Sequence, residues 1–277
     1  MSRLPSLDVT LLPGARGLLE LHARELPQRD DLCGAFCASL ALRAAGIEEH
    51  DGEPVDQDTV ALAAGSVVSR HPDPDILPRG EPGRRDYRAT LPLVEDPHLS
   101  GTTALGLLEA VQTVSGGQLT AIPYTGPWTP ETLGGLFDSA AALDRPAALL
   151  ANIATRHLWG SRATPGELLD YLYDGADAGP PPDWDVGHFV CLTARVRGPA
   201  GSLYALADTY PSLGSHGVHM QPQERLAAAL ERPDLPAGGM LAIVSPGDAA
   251  AVRRAAETLA LREGMWDNGT VAREMLR

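Results

Sequence analysis

A cysteine, a histidine and an aspartate stand in settings from which they could act together on a carbonyl carbon. Cys33 precedes an apolar helical run, His188 lies in the strand-like run GHFVCL, and Asp208 ends the strand-like run YALAD. A thiol attacks as its thiolate, an imidazole can take and return the proton, and a carboxylate can hold the imidazole in one tautomer. These residue types in this order predict nucleophilic catalysis by a thiol.

The surroundings of Cys33 favour this chemistry over a merely structural thiol. Asp30 and Asp31 are predicted N-caps of the apolar helix that follows, which places Cys33 in its first turn. Unpaired N–H groups and the helix dipole stabilise a thiolate there. Gly34 leaves room for a substrate to approach. Gln28 could donate a side-chain N–H to an oxyanion, together with the backbone N–H of Cys33.

The other two cysteines leave an alternative open. Cys37 lies one helical turn after Cys33 and shares its helix face, so it is the rival nucleophile, although a cysteine on an apolar helix is usually a buried hydrophobe. Cys191 is three residues from His188 on the same predicted strand and therefore faces the opposite side. It is predicted to belong to the core.

Helices and strands predicted from apolar periodicity would position these groups. The runs HFVCLTARV and SLYALADTY are predicted to form an antiparallel hairpin through the turn RGPAG, which brings His188 and Asp208 to the same edge of a sheet. The predicted helices span residues 15–25, 33–46, 59–68, 102–114, 129–143 and 248–262, and the remaining predicted strands span 7–12, 118–124, 147–154 and 239–245.

The segment 156–186 separates one buried strand from the strand of His188. It contains two tryptophans, two tyrosines and three consecutive prolines. Aromatic residues beside a catalytic strand indicate a substrate-binding lid, and we name Trp159, Trp184 and Gly187 with Gly34 as candidate substrate contacts. An aromatic-anchored surface loop without a binding role is the alternative.

Composition restricts the partners and the compartment. The net charge of −14 argues against nucleic acid and anionic membranes as partners. No apolar run is long enough for a membrane span, and the N-terminus is a poor signal peptide, so we expect a cytoplasmic protein. Three cysteines are too few for a disulfide framework. His216 and His219 lack a third ligand at a known spacing, so no metal and no cofactor are expected.

These motifs carry a family resemblance. Gln28-x4-Cys33-Gly34 before an apolar helix, then Gly187-His188-Phe-Val, then a strand-borne Asp208, resembles the papain-like cysteine peptidases and is closest to their compact bacterial C39-like branch. The resemblance covers about 28–46 and 186–212. Members of this branch often have Asp-Pro after the last strand, whereas this chain has Asp-Thr-Tyr-Pro. The chain lacks the G-x-x-x-x-G-K-[ST] motif of a nucleotide-binding loop, which excludes the transporter-fused peptidases of that branch.

The resemblance implies roles for four residues. Cys33 would be the nucleophile, His188 the general base, Asp208 the group that orients His188, and Gln28 an oxyanion donor. It implies an α+β, papain-like fold in which a helix carrying the nucleophile packs on an antiparallel sheet carrying His188 and Asp208. We expect a single domain over 1–277, with a helical half at about 15–145, a sheet half at about 146–246 and a helical arm at 247–277.

The function expected on this basis is cleavage or transfer of an acyl group from a peptide amide, ester or thioester. The motif is the same for a hydrolase and an acyltransferase, so both stay open. A specific peptide or small acyl substrate in a bacterial biosynthetic pathway is the expected setting. The alternative, from another class, is a catalytically inactive papain-like scaffold that binds a peptide or a partner protein. The oligomeric state does not follow from the sequence.

Overall fold

An antiparallel sheet forms the centre of the fold in a computed structural model, which describes residues 6–71, 73–233 and 236–271. Eight strands join this sheet in the described residues, with the order β10-β9-β8-β7-β11-β6-β12 and β1 added beside β8. In chain order the strands are β1 (Asp8–Leu11), β2 (Glu49–His50), β3 (Glu53–Pro54), β4 (Val68–Ser69), β5 (Leu93–Val94), β6 (Thr120–Thr125), β7 (Ala148–Ala154), β8 (Gly187–Arg197), β9 (Ser202–Ala207), β10 (Val218–Pro222), β11 (Gly239–Val244) and β12 (Arg262–Glu263).

Helices cover both faces of this sheet. The side chains of β8 alternate between the two faces, so that Phe189 and Cys191 join one hydrophobic core while Val190 and Leu192 join the other. The first core is closed by α1 to α4, and the second by α5, α7 and α8. The helices are α1 (Ala15–Glu25), α2 (Cys33–Ala44), α3 (Gln57–Ala63), α4 (Ala104–Val114), α5 (Pro130–Ala141), α6 (Pro165–Asp174), α7 (Gln223–Glu231) and α8 (Pro246–Thr258).

The long strand β8 connects the elements that matter for the site. It pairs with β7 over its first half, with β1 over its second half, and with β9 on its other side. The predicted hairpin between β8 and β9 is present, and the antiparallel pairing of Cys191 with Ala207 brings the start of β8 close to the end of β9. The α+β class predicted from the sequence is therefore confirmed.

Several boundaries differ from the predicted ones. The helix predicted at 59–68 is α3, which ends at Ala63 because Gly65 takes a left-handed φ of 64°. Neither β10 nor α7 was predicted; β10 lies in the run LGSHGVHMQP, which combines two glycines with only a short alternation of burial. The described part of the predicted C-terminal arm is helical only to Thr258, beyond which Arg262–Glu263 pairs with β6. Residues 272–277 of that arm lie outside the described residues.

The predicted division into halves stays a prediction. The sheet nevertheless takes β1 and β6 from the parts of the chain before residue 146 and β12 from the C-terminal arm. None of the helices in the described ranges is long and apolar enough to cross a membrane.

The backbones of α3 and α4 pack closely at Gly106. A substitution at this glycine therefore tests the packing. A Cβ at Gly106 would lie 2.2 Å from the carbonyl oxygen of Ala64, whereas a Cβ at Gly17 in α1 meets nothing within 4 Å. We expect Gly106→Ala to lower the free energy of unfolding by roughly 1–3 kcal/mol through overpacking. The matched variant Gly17→Ala should raise it by roughly 0.5–1 kcal/mol because alanine favours the helix. Urea titrations of both variants measure this, and equal effects would contradict the packing.

Candidate active site

A cleft of about 590 Å³ opens where the N-terminus of α2 meets the start of β8. Gln28, Cys33, Gly187 and His188 all line it. Its volume lies within the roughly 300–1,000 Å³ of small-molecule sites. The sequence-predicted nucleophile, base and oxyanion donor are therefore brought together on one surface.

Cys33 is the first residue of α2 and is half-buried in the cleft wall. The preceding residue, Leu32, is the N-cap, and no side chain caps this helix. The N–H groups of a first helical turn have no partner within the helix. Here they stay available at the position of the thiol, together with the positive end of the helix dipole.

The predicted capping role of Asp30 and Asp31 is wrong. Asp31 has a left-handed φ of 67°, and its carboxylate accepts hydrogen bonds from the Ser69 N–H and the Ser100 hydroxyl, each at 2.8 Å. Asp30 instead accepts the Arg84 N–H at 2.8 Å. The two carboxylates fasten the loop before α2 to the segments around it, which explains why the helix start has no cap. Burial raises the pKa of both carboxyls, opposed by these hydrogen bonds.

His188 links the thiol to Asp208. Its Nε2 lies 2.9 Å from Oδ1 of Asp208, and both side chains are almost fully buried, at 2% and 1% exposure. Cys33 lines the same cleft as His188 and is close enough to contribute to the rise in its pKa. The thiol therefore lies near an imidazole that is bound to a buried carboxylate.

The charge of Asp208 sets the protonation of His188. Burial lowers the pKa of His188, but the Asp208 charge, the hydrogen bond that His188 donates to Asp208 and the proximity of Cys33 outweigh it and raise the pKa to about 10. Burial likewise raises the pKa of Asp208, yet the net shift is downward because of the His188 charge and the hydrogen bonds from His188 and His219. The pair is thus an imidazolium–carboxylate ion pair near neutral pH.

Asp208 has further partners that the sequence did not assign to it. Its Oδ2 lies 3.1 Å from Nε2 of His219, its Oδ1 accepts the Thr209 N–H at 2.6 Å, and its backbone oxygen lies 2.5 Å from Nε2 of His22. The sequence marks His219 only as a weak candidate metal ligand. No group of three or more potential ligands in the described ranges is arranged to hold a metal ion. The i, i+2 spacing of His219 and Gln221 on a strand is the signal that could have found it.

Gln28 reaches the cleft from the loop before α2. Its backbone N–H donates to the oxygen of Thr209 at 3.0 Å, which ties this loop to the residue after Asp208. The side chain is buried, and its Oε1 has no hydrogen-bond partner. An amide oxygen only accepts, so donation to an oxyanion would come from Nε2 of the same group. Gln28 and Cys33 line the same cleft, which suits such a donor.

Cys37 and Cys191 are fully buried. The Cys37 thiol donates to the backbone oxygen of Phe189 at 3.4 Å, and the Cys191 thiol donates to the backbone oxygen of Cys37 at 3.7 Å. Burial raises the pKa of Cys37 well above its ordinary value. Neither residue lines the cleft, so Cys33 is the thiol that a substrate can reach.

The four predicted substrate contacts divide into two pairs. Trp184 and Gly187 line the cleft, and the Trp184 ring lies edge-on to the imidazole of His188 with centroids 4.9 Å apart. Gly34 instead packs under Leu107, whose Cδ1 would lie 2.9 Å from an added Cβ. Trp159 is buried and donates from Nε1 to Asp177 at 2.7 Å. The positions of Gly34 and Trp159 argue against contact with a substrate.

The tail after α8 forms one wall of the cleft. Asn268 and Thr270 line it, and Thr270 donates its hydroxyl to the backbone oxygen of Ser100 at 3.1 Å. Asn268 donates to the backbone oxygen of Thr102 at 2.9 Å. The sequence did not indicate this arrangement because polar contacts to backbone oxygens leave no residue pattern.

Comparison with known proteins places this site within a family. Residues 12–267 match the family of unknown function DUF6885. No curated protein matches the chain. The matched range includes Gln28, Cys33, His188 and Asp208, so the whole site except the end of the tail lies inside it.

The buried ion pair predicts a specific pH dependence of stability. The pKa of His188 is raised from 6.5 to about 10, so its contribution is complete below pH 6.5 and is lost as the pH rises to about 10. The pKa of Asp208 is lowered from 3.8, so its contribution is lost as the pH falls below about 4. We expect Asp208→Asn to cost roughly 3–5 kcal/mol of unfolding free energy between pH 4 and 6.5 and progressively less from pH 6.5 to 10. Urea unfolding of both proteins across pH measures this, and a pH-independent difference would contradict the ion pair.

Proposed function

The chain belongs to the DUF6885 family, and because that family has no known function, we propose one from the geometry of the cleft. We propose a papain-like thiol enzyme that cleaves or transfers an acyl group from a peptide amide, ester or thioester. The observation that carries this proposal is that Cys33 and the His188–Asp208 pair meet at the wall of one open cleft.

The first half-reaction uses Cys33 as the nucleophile. Its sulfur adds to the carbonyl carbon, and the proton of the thiol resides on His188, whose Nε2 is held by Asp208. When the tetrahedral intermediate collapses, the bond to the leaving amine, alcohol or thiol breaks, and His188 returns the proton to that group. The product of this step is an acyl-enzyme with a thioester at Cys33.

The negative charge on the carbonyl oxygen needs donors. The uncapped N–H groups at the start of α2 and the amide of Gln28, which both belong to the cleft wall, would supply them. Donors of this kind are fixed before the reaction, so they stabilise the charge without reorganisation.

The second half-reaction releases the acyl group. Water or an amine loses a proton to His188 and attacks the thioester, and the proton then passes to the departing sulfur of Cys33. Water gives hydrolysis and an amine gives acyl transfer. The same residues serve both outcomes, so the acceptor that enters the cleft decides between them.

The charges lining the cleft favour a neutral or cationic acyl donor. Two arginines line it, and one of them, Arg156, is paired with Asp185 at 2.8 Å. The five lining carboxylates are Asp30, Asp31, Asp73, Asp75 and Asp185. An anionic substrate would meet this excess of negative charge, whereas a peptide backbone or an amine would not be repelled.

Selective alkylation of Cys33 tests the proposal without knowledge of the substrate. With limiting iodoacetamide at pH 6, we expect Cys33 to be modified while Cys37 and Cys191 stay unmodified, because Cys33 lines the cleft and the other two thiols are fully buried. His188→Ala should slow the reaction by at least about tenfold at pH 6, with the two rates converging above about pH 10. Intact-protein mass spectrometry with peptide mapping measures the rate at each cysteine.

Two variants control this experiment. Cys33→Ala should abolish labelling, and Cys37→Ala, which removes a buried thiol on the same helix face, should leave the Cys33 rate unchanged. Labelling of Cys33 only at alkaline pH, with no dependence on His188, would contradict the enzyme and favour a binding scaffold.

Peptide aldehydes test the oxyanion site separately from the thiol. An aldehyde forms a tetrahedral adduct with the thiol and places its oxygen among the oxyanion donors. For the N-acetyl amino-acid aldehyde that binds most tightly to the wild type, we expect Gln28→Leu to weaken inhibition of Cys33 alkylation by about tenfold or more. The alkylation rate itself should stay within about threefold, since iodoacetamide generates no oxyanion in this site. If Gln28→Leu changed aldehyde inhibition and the alkylation rate by the same factor, the result would contradict the role of Gln28 as an oxyanion donor.

A further inference from the structure

A second histidine lies against the carboxylate of Asp208 on the side away from His188. His219, in the edge strand β10, is 5% exposed, and its Nε2 lies 3.1 Å from Oδ2 of Asp208. The other oxygen, Oδ1, faces His188. The carboxylate is therefore held between two imidazoles, one on each oxygen.

Gln221 fixes the tautomer of His219 through a hydrogen bond to its Nδ1. The Gln221 Oε1 accepts the backbone N–H of Trp159 at 2.8 Å, and its Nε2 donates to the backbone oxygen of Trp159 at 2.9 Å. Because a backbone N–H needs an acceptor, the orientation of the amide is determined. The same Nε2 lies 2.9 Å from Nδ1 of His219, so Nδ1 is the acceptor.

An accepting Nδ1 puts the proton of the neutral imidazole on Nε2, from which it is donated to Asp208. Every donor around the carboxylate then points at it: His219 at Oδ2, and His188 and the Thr209 N–H at Oδ1. A buried carboxylate that accepts several hydrogen bonds is held ionised and cannot rotate freely.

We propose that His219, oriented by Gln221, is a positioning residue that holds Asp208 in the geometry that binds and orients the imidazole of His188. This inference rests on the proposed function. It also gives Trp159 a role other than the predicted one: its backbone, held by Gln221, is the fixed point from which the series of hydrogen bonds starts.

Replacement of His219 by residues with and without a donor tests the proposal. His219→Leu removes the N–H at similar bulk, whereas His219→Gln keeps an amide N–H at about the reach of Nε2. The readout is the pH profile of Cys33 alkylation by iodoacetamide, measured where thermal unfolding shows every variant to be folded. The other titratable groups that face this cluster are Cys33, His188, Asp208, His22 and Tyr210.

We expect His219→Leu to slow alkylation by about tenfold near pH 7, with convergence to the wild type above about pH 10, where His188 loses its proton. His219→Gln should stay within about threefold of the wild type. Two-bond proton–nitrogen NMR of the wild type at pH 7 should show His219 protonated at Nε2 only. His50→Leu, in the hairpin of β2 and β3, is the matched control and should change nothing in the profile.

Three results would overturn the proposal. His219→Leu could lower the melting temperature while its pH profile of alkylation stays the same as that of the wild type. That result would show that His219 has only a structural role. His219→Gln could be as slow as His219→Leu, which would exclude donation to Asp208 as the cause. His219 could carry its proton on Nδ1. If instead the wild type itself behaves like His188→Ala, the proposed thiol enzyme fails first, so the two failures are distinguishable.

Discussion

The buried negative charge of Asp208 is the constraint on which the arrangement of the site depends. Removal of a carboxylate from water costs several kcal/mol unless charges and hydrogen-bond donors replace the solvent. Here His188, His219 and the Thr209 N–H supply them. These partners come from β8, β10 and the turn after β9, so the ionised carboxylate is compatible only with the register in which those strands are found. The ionised carboxylate therefore favours this strand register, and the register supplies the donors that the carboxylate needs.

On the helix side of the cleft, α2 begins without a side-chain cap. Polar groups that would ordinarily cap α2 are used elsewhere, since Asp30 and Asp31 accept hydrogen bonds from residues in the loops around them. Four other helices, α3 to α6, have a side-chain cap from an aspartate or a threonine, whereas α1, α7 and α8 lack one as α2 does. What distinguishes α2 is that its first residue, Cys33, lines the cleft. This placement connects the uncapped helix start to the proposed chemistry.

The sequence predicted what local patterns encode. The limits of α1 and the β8–β9 hairpin follow from apolar periodicity and turn residues, and the positions of Cys33, His188 and Asp208 follow from the residues around them. It failed where contacts between distant segments decide the outcome. Asp30 and Asp31 are residue types that commonly cap helices, but their carboxylates accept hydrogen bonds from Ser69, Ser100 and Arg84 instead. Trp159 is of a residue type common in binding sites, but it packs in a small core with Tyr171. Such choices depend on partners that no single segment contains.

The distance along the chain between the thiol and its partners has a consequence for biosynthesis. Cys33 is made early, whereas the strands that carry His188 and Asp208, and the tail that completes the cleft wall, follow much later. At ordinary rates of translation, the chain grows from residue 33 to residue 188 in on the order of ten to thirty seconds. Throughout that time Cys33 is present without His188 or Asp208. The proposed nucleophile therefore acquires its partners only after most of the chain has been synthesised.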